Sequence, residues 1–262
     1  MNTAVIVEPR QIDRVVMVIQ NFQSVLPQSE WSFVFYCGKG LSTYWSEKLS
    51  NVEIRELEVN NLEPYQYNDM FKSRQLWDSL YGDYVLVFQL DTWLHPESNY
   101  TIRDFTSKGY SYIGGNLDWI WDEFVVLDKL QIPYGKHKYG SFNGGLSLRK
   151  REDMIRIIEA IPPMPTPHWS VIRKEFESPN PSLDTIKIMA EDTYFTLGSY
   201  VLGLKVGDDA FCETFACHQF FVEKPFGYHL SIPYPVTDAK QIGLTQAIRN
   251  DCPNIACWPY CD

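Results

Sequence analysis

The chain predicts an α/β fold with a mostly parallel central sheet flanked by helices, in a single domain spanning 1–262. Three observations point there. Apolar runs alternate with amphipathic stretches through the first 92 residues, as successive βα units require. The run Asp83-Tyr84-Val85-Leu86-Val87-Phe88 is apolar enough to be a buried strand. With 262 residues and 45% hydrophobic content the chain can bury one large core. The Pro-rich stretch from Ile161 to Pro167 is too short for a linker and reads as a surface loop.

The elements follow in order. Thr3 to Val7 is the first strand, stopping at Glu8-Pro9-Arg10. Ile12, Val15, Val16, Ile19 and Phe22 mark one face of a helix from Gln11 to Ser24. A strand from Trp31 to Tyr36, a helix from Ser42 to Leu49 and a short strand from Val52 to Leu57 come next. Tyr67 to Tyr81 predicts one helix, ended by Gly82-Asp83 before the strand that leads to Asp91. A short helix follows from Thr101 to Ser107, then a strand from Tyr110 to Gly115. Leu117 to Gly140 is rich in aromatics with weak periodicity and reads as a long functional loop. Gly145 to Leu148 is a strand, Arg149 to Ala160 a helix, Glu191 to Leu202 another helix and Phe220 to Glu223 a late strand. From Asp238 a helix and an irregular tail are expected.

Composition narrows the class of partner. A net charge of −10 argues against nonspecific nucleic-acid binding. No basic segment leads into an apolar stretch at the N-terminus, and no apolar run is long enough to span a bilayer. Neither a signal peptide nor a membrane span is expected. Cys37, Cys212 and Cys217 read as buried or partly buried thiols; Cys252, Cys257 and Cys261 crowd the C-terminus without a zinc spacing. Free thiols point to the cytoplasm. Aromatics make up 15% of the chain, so packing explains any single ring more simply than stacking on a sugar.

Five groups of residues carry potential chemistry. Asp91 follows a buried strand into a turn, at the edge where open α/β sheets bind ligands. It can cap that turn, or hold a divalent cation against a phosphate-bearing ligand. Gln89, two residues earlier, points the same way and is polar within an apolar run. Asn143-Gly144-Gly145 offers either a tight turn or a close approach of backbone to a ligand. Glu191-Asp192 opens a helix, where the dipole favours acids, and equally offers a general base. His229 suits a cation such as Mn2+; His218, among apolar neighbours, suits a core position. Glu8 and Arg10 end the first strand at the ligand edge, and Arg74 lies on the helix before the Asp91 strand. Either arginine can bind a nucleotide phosphate or form a surface ion pair.

In that order, Val87-Phe88-Gln89-Leu90-Asp91-Thr92, Asn143-Gly144-Gly145-Leu146-Ser147-Leu148-Arg149, Glu191-Asp192 and Phe226-Gly227-Tyr228-His229 resemble the GT-A-fold glycosyltransferases. More closely, the chain resembles a glycosyltransferase-like family catalogued as a domain of unknown function, found in large DNA viruses and fungi. The resemblance spans roughly residues 3 to 235. It implies a Rossmann-like nucleotide half (1–92), an acceptor and catalytic half (93–237) and a tail (238–262). It implies transfer of a sugar from a nucleotide-sugar donor to a glycan or other hydroxyl acceptor. Asp91 and His229 would hold Mn2+ or Mg2+, and Asp192 would be the base, with Glu191 beside it. On the residue reading, Glu8, Arg10, Arg74 and Gln89 would serve the donor beside Asp91, and Asn143, Gly144 and Gly145 a sugar or acceptor pocket. The resemblance also implies the cytoplasm of a virus-infected host as one setting. Gln89 stands where the common motif has an acid, which leaves one carboxylate fewer for a cation. The competing readings are a sugar nucleotidyltransferase, for which a basic Gly-rich loop after the first strand is missing, and a carbohydrate-binding or scaffold protein without activity.

Overall fold

The alternation of the first half builds β1 (Asn2–Glu8), α1 (Arg14–Val25), β2 (Trp31–Cys37), α2 (Ser42–Lys48), β3 (Val52–Glu56), α3 (Pro64–Phe71), α4 (Arg74–Ser79) and β4 (Tyr84–Phe88). These come from a computed structural model, which describes residues 1–117, 123–135, 141–178, 180–229, 239–253 and 255. The four strands are parallel neighbours in the order β3-β2-β1-β4. The interior positions of β1, β2 and β4 are buried almost throughout, Ala4, Val5, Phe35 and Val85 through Phe88 completely, while β3 at the sheet edge is partly exposed. The sheet grows outward from β1 in both directions. Between β1 and β4 it therefore has a switch point, where a crevice opens at the carboxyl ends of the strands. The residues leaving that edge are Glu8 on β1 and Gln89 beyond β4.

The second half continues through β5 (Thr92–Leu94), α5 (Ile102–Thr106), β6 (Tyr112–Leu117), α6 (Glu123–Lys129), β7 (Ser141–Lys150), α7 (Arg151–Ala160), α8 (Trp169–Phe176), α9 (Leu183–Lys187), α10 (Glu191–Val201), α11 (Asp209–Phe215), β8 (Ala216–Cys217), β9 (Gly227–His229) and α12 (Ala239–Asp251). β7 joins β4 antiparallel and β6 joins β7 antiparallel, completing a six-stranded sheet β3-β2-β1-β4-β7-β6. A small second sheet, β5-β9-β8, branches off after β4. One apolar core runs through both halves. Cys37, Cys212, Cys217 and Cys252 are buried and unpaired; Cys257 and Cys261 lie outside the described residues. No helix among the described residues is long and apolar enough to cross a membrane.

Several elements differ from the sequence reading. The stretch expected to loop from Leu117 to Gly140 contains α6; 118–122 and 136–140 lie outside the described residues. The late strand is not Phe220 to Glu223 but Gly227–His229, which pairs with β5. β7 runs on through Arg149 and Lys150, so the helix after it starts at Arg151.

The helix expected from Tyr67 to Tyr81 is broken in two. Ser73 caps α4, its hydroxyl accepting from the Leu76 amide at 3.3 Å. Lys72 turns inward, 1% exposed. Its ammonium donates to the carbonyls of Met164 at 2.9 Å, Met189 at 3.1 Å and Lys187 at 3.3 Å. These carbonyls lie in the segments flanking α8 and α9, so one lysine ties them to the sheet side of the molecule. Burial pushes its pKa down to about 8.

Lys72→Met keeps the stem and removes the donor, leaving those carbonyls without it. Urea unfolding should show a loss of about 2–4 kcal/mol. Between pH 8 and 10.5 the unfolded chain holds this proton more tightly than the folded one. The wild-type advantage over the variant should therefore widen as pH rises through that window.

Candidate active site

Two glycines stand where the predicted residues meet. Phe88 on β4 is opposite Leu146 on β7, so Gln89 falls beside Gly145. A Cβ on residue 145 would lie 2.3 Å from Nε2 of His229 and 2.7 Å from Oε1 of Gln89. A Cβ on residue 144 would lie 2.2 Å from Oε1 of Glu191 and 3.1 Å from Cβ of Asp192. Neither glycine adopts a left-handed conformation, so they are needed for space rather than for a turn. β6 and β7 lose register around them, with Gly114 opposite Ser147 and Asn116 opposite Phe142. Asn143 to Leu146 thus bulge against Gly115 alone. The Asn143 side chain closes the bulge by accepting from the Gly145 amide at 2.6 Å.

On the Gly145 side, Asp91 Oδ2 is 3.4 Å from His229 Nε2. Thr92 pairs with His229 across β5 and β9, which brings the strand-end carboxylate and the distant histidine together. Burial works against the Asp91 charge, but the His229 imidazole beside it outweighs that and holds the carboxyl below its ordinary range. His229 is buried, and its Nε2 has no hydrogen-bond partner. His218 stacks on it at 4.8 Å between ring centroids. The Nδ1 of His218 is 3.1 Å from both the carbonyl oxygen and the Nδ1 of His229. His218 is buried as its apolar neighbours predicted, and burial, then the adjacent His229, pushes its pKa down to about 3. It braces His229 as well as filling the core.

On the Gly144 side, Arg149 grips Glu191 with both arms of its guanidinium, Nη2 to Oε1 at 3.0 Å and Nη1 to Oε2. Its Nε donates to Ser147 Oγ at 2.9 Å and its Nη2 to the Gly144 carbonyl at 3.3 Å. Arg149 is fully buried, with Tyr112, Phe71, Phe195 and Trp77 rings around it. Glu191 is thereby committed to an ion pair, while Asp192 is half-buried and has no cation of its own. Burial, then the neighbouring Glu191 charge, pushes Asp192 up to about 6, against hydrogen bonds from the Thr193 and Gly144 amides. An acid of that pKa is a competent base near neutrality.

The other candidates are placed less centrally. Glu8 is buried and gripped by Arg10, Nε to Oε1 at 2.8 Å and Nη2 to Oε2 at 2.7 Å. The pair sits at the switch-point edge, with the guanidinium about half exposed. Arg74 has the surface alternative, paired in solvent with Asp78 and Glu159. None of these partners belongs to the cluster. Of the aromatics between Trp119 and Tyr139, Phe124 and Tyr134 stack on each other, and Trp119, Trp121 and Tyr139 lie outside the described residues. Tyr67, Arg149 and Asn68 were not singled out from the sequence. Asn68 Oδ1 accepts from the Glu191 amide at 3.2 Å. Arg149 left no signal in the sequence: with Ser147 it alternates with Leu146 and Leu148 as a solvent-facing residue would, and only the structure shows both phases of the strand buried.

Residues 51–229 match the model of a family described as protein of unknown function (DUF5672). The chain belongs to this family. No curated protein matches it. Among solved structures it is similar to mouse xyloside xylosyltransferase 1, apo form, at 10% identity over 89% of this chain and 98% of that one, TM-score 0.49. It is similar to S. aureus TarS 1-349 in complex with UDP-GlcNAc at 13% identity over 95% and 65%, TM-score 0.46. It is also similar to the mannosyltransferase PcManGT from Pyrobaculum calidifontis, in complex with GDP-Man and Mn2+, at 11% identity over 59% and 46%, TM-score 0.40. The chain spans about half the length of that mannosyltransferase. The family match covers β3 through β9 and so includes Gln89, Asp91, both glycines, Glu191, Asp192 and His229.

Arg149→Met should cost about 3–5 kcal/mol, because it strands a buried carboxylate. Adding Glu191→Leu should recover most of that loss in the same guanidinium chloride titration, since the uncompensated charge goes with it.

Proposed function

We propose that this chain is a glycosyltransferase, moving a sugar from a nucleotide-sugar donor to a hydroxyl acceptor with inversion at the anomeric carbon. One observation carries the reading. At the switch-point edge, Gly144 and Gly145 bring a donor set suited to a cation within one residue of a carboxylate with a raised pKa. Phosphate chemistry belongs at that edge, and proton abstraction needs that carboxylate.

The nucleotide lies over the first half, 1–92, with Glu8 and Arg10 at its edge; the acceptor meets the half from 93 to 237. Asp91, His229 and Gln89 fit a divalent cation, Mn2+ or Mg2+. They offer a carboxylate oxygen, a buried imidazole nitrogen without a partner and an amide oxygen. Among the described residues no three His, Cys, Asp or Glu side chains gather around one point. The protein would supply part of the shell, leaving the rest to phosphate oxygens and water. Such a cation, when bound, neutralises the leaving diphosphate.

Asp192 accepts the acceptor's hydroxyl proton as that oxygen forms its bond to the anomeric carbon. The bond to the diphosphate breaks on the opposite face, and the diphosphate leaves with the electron pair. Both oxygens of Glu191 are engaged by Arg149, which leaves Asp192 to meet the acceptor. One base and one displacement give inversion.

A screen of nucleotide sugars for hydrolysis and transfer tests the assignment; turnover of none, with Mn2+ or Mg2+ present, overturns it. Asp192→Asn should lower kcat by about 100-fold or more while leaving nucleotide affinity nearly unchanged. In the wild type kcat should fall as pH drops below about 6, where Asp192 becomes protonated. The fold disfavours the charged carboxylate, so Asp192→Asn should also melt higher than wild type at pH 7, with the gap closing as pH falls towards 4. An NMR spectrum of the product that shows the donor's anomeric configuration would rule out the inverting mechanism. Asp91→Asn should abolish transfer in a folded protein, and chelation should lower activity.

A further inference from the structure

We propose that Tyr67 contacts the sugar being transferred, its hydroxyl donating a hydrogen bond to one of that sugar's oxygens. This rests on the glycosyltransferase reading and adds a specificity-determining residue to it.

The Tyr67 hydroxyl is buried and has no hydrogen-bond partner. Buried hydroxyls are rarely left so, and an orphan calls for an explanation. A loose fit does not supply one. The ring packs on Phe71 at 4.7 Å between centroids. The residues after it on α3 are pinned: Asn68 accepts from the Glu191 amide, and Asp69 accepts from the amide and hydroxyl of Thr166 at 2.8 and 2.9 Å. Lys72 then anchors the end of the helix to three carbonyls. The hydroxyl is held rigidly in place, close enough to the Gln89 side chain to feel it but without a well-formed hydrogen bond to satisfy it.

Its surroundings say what it faces. Besides burial, the charges that act on Tyr67 are those of Glu191, Arg149 and Asp91, and the Gln89 side chain lies alongside. Gln89 and Asp91 belong to the side where the diphosphate would sit; Glu191 and Arg149 belong to the side of the base. In a single displacement the group between leaving diphosphate and base is the sugar itself. A tyrosine hydroxyl is a neutral donor at pH 7. A sugar hydroxyl or ring oxygen meets such a donor without adding negative charge beside Asp91 and Glu191, whereas a phosphate placed there would add it. Gln89 can reach the same sugar with its amide N–H while its oxygen faces the cation.

The test compares wild type with Tyr67→Phe, which keeps the ring and its packing. Affinities are measured by calorimetry for UDP- and GDP-hexoses and for free UDP and GDP, all with MnCl2, alongside melting of the unliganded proteins. The expected result is about a tenfold loss of affinity for the nucleotide sugar, the scale of one good hydrogen bond, with no change for the free diphosphate. The unliganded variant should melt at the wild-type temperature or above it, because an unpaired hydroxyl has been removed. Equal losses for sugar and diphosphate, or no loss, overturn the proposal. So does a lower melting temperature, which would mean the hydroxyl has an internal partner. A wild type that binds none of the nucleotides takes down both the glycosyltransferase reading and this inference; one that binds them while Tyr67→Phe behaves identically removes this inference alone.

Discussion

The buried pair between Arg149 and Glu191 is the interaction on which the rest of the site depends. A guanidinium with no solvent exposure, on a strand in the middle of the sheet, is tolerable only if its charge and its donors are met. Glu191 meets the charge, Ser147 and the Gly144 carbonyl take further donors, and aromatic faces surround the rest. The pair ties the first turn of α10 to β7. It thereby places Asp192 against Gly144 and surrounds it with the burial and negative charge that raise its pKa. Glu191 and Asp192 are neighbours of the same chemical type, yet one is paired with a buried cation and the other is not. The difference lies in which of them the arginine reaches.

The glycine pair is the complementary constraint. Any side chain at residue 145 would collide with His229 and Gln89, and any at 144 with Glu191. A single strand thus separates two chemically distinct faces by the thickness of a backbone. The closeness matters for a displacement reaction, in which leaving group and base must act on the same small molecule from opposite sides. Tyr67 comes to this crowded region from α3, its hydroxyl buried without a well-formed hydrogen bond. Sites of this kind store some unmet bonding capacity, which a ligand then satisfies.

Much of this was legible in the residues. The alternation of the first 92 residues, the strand-end position of Asp91, the double glycine and the acidic opening of α10 all appear in the structure as elements or element ends. They were legible because burial and helix or strand periodicity are local. The break at Lys72 was not, because Lys72 reads as an ordinary helix residue until the carbonyls of Met164, Lys187 and Met189 come into reach. The position of the last strand was missed for a similar reason. Gly227–His229 is too short to show a period, and it is a strand only because β5 lies beside it.

By itself the sequence determined an α/β architecture with its ligand edge at Glu8 and Gln89, and a short roster of polar residues that apolar packing does not explain. Those follow from hydrophobic pattern and residue type, which act over a few positions along the chain. Only the tertiary structure decided how the roster is divided. It joined Asp91 to His229, gave Glu191 rather than Asp192 to Arg149 and sent Arg74 into surface ion pairs. Each of those outcomes depends on distances between residues far apart in the chain. Charge pairing, desolvation and hydrogen bonding act over a few ångströms of space, and no spacing along the sequence encodes those distances.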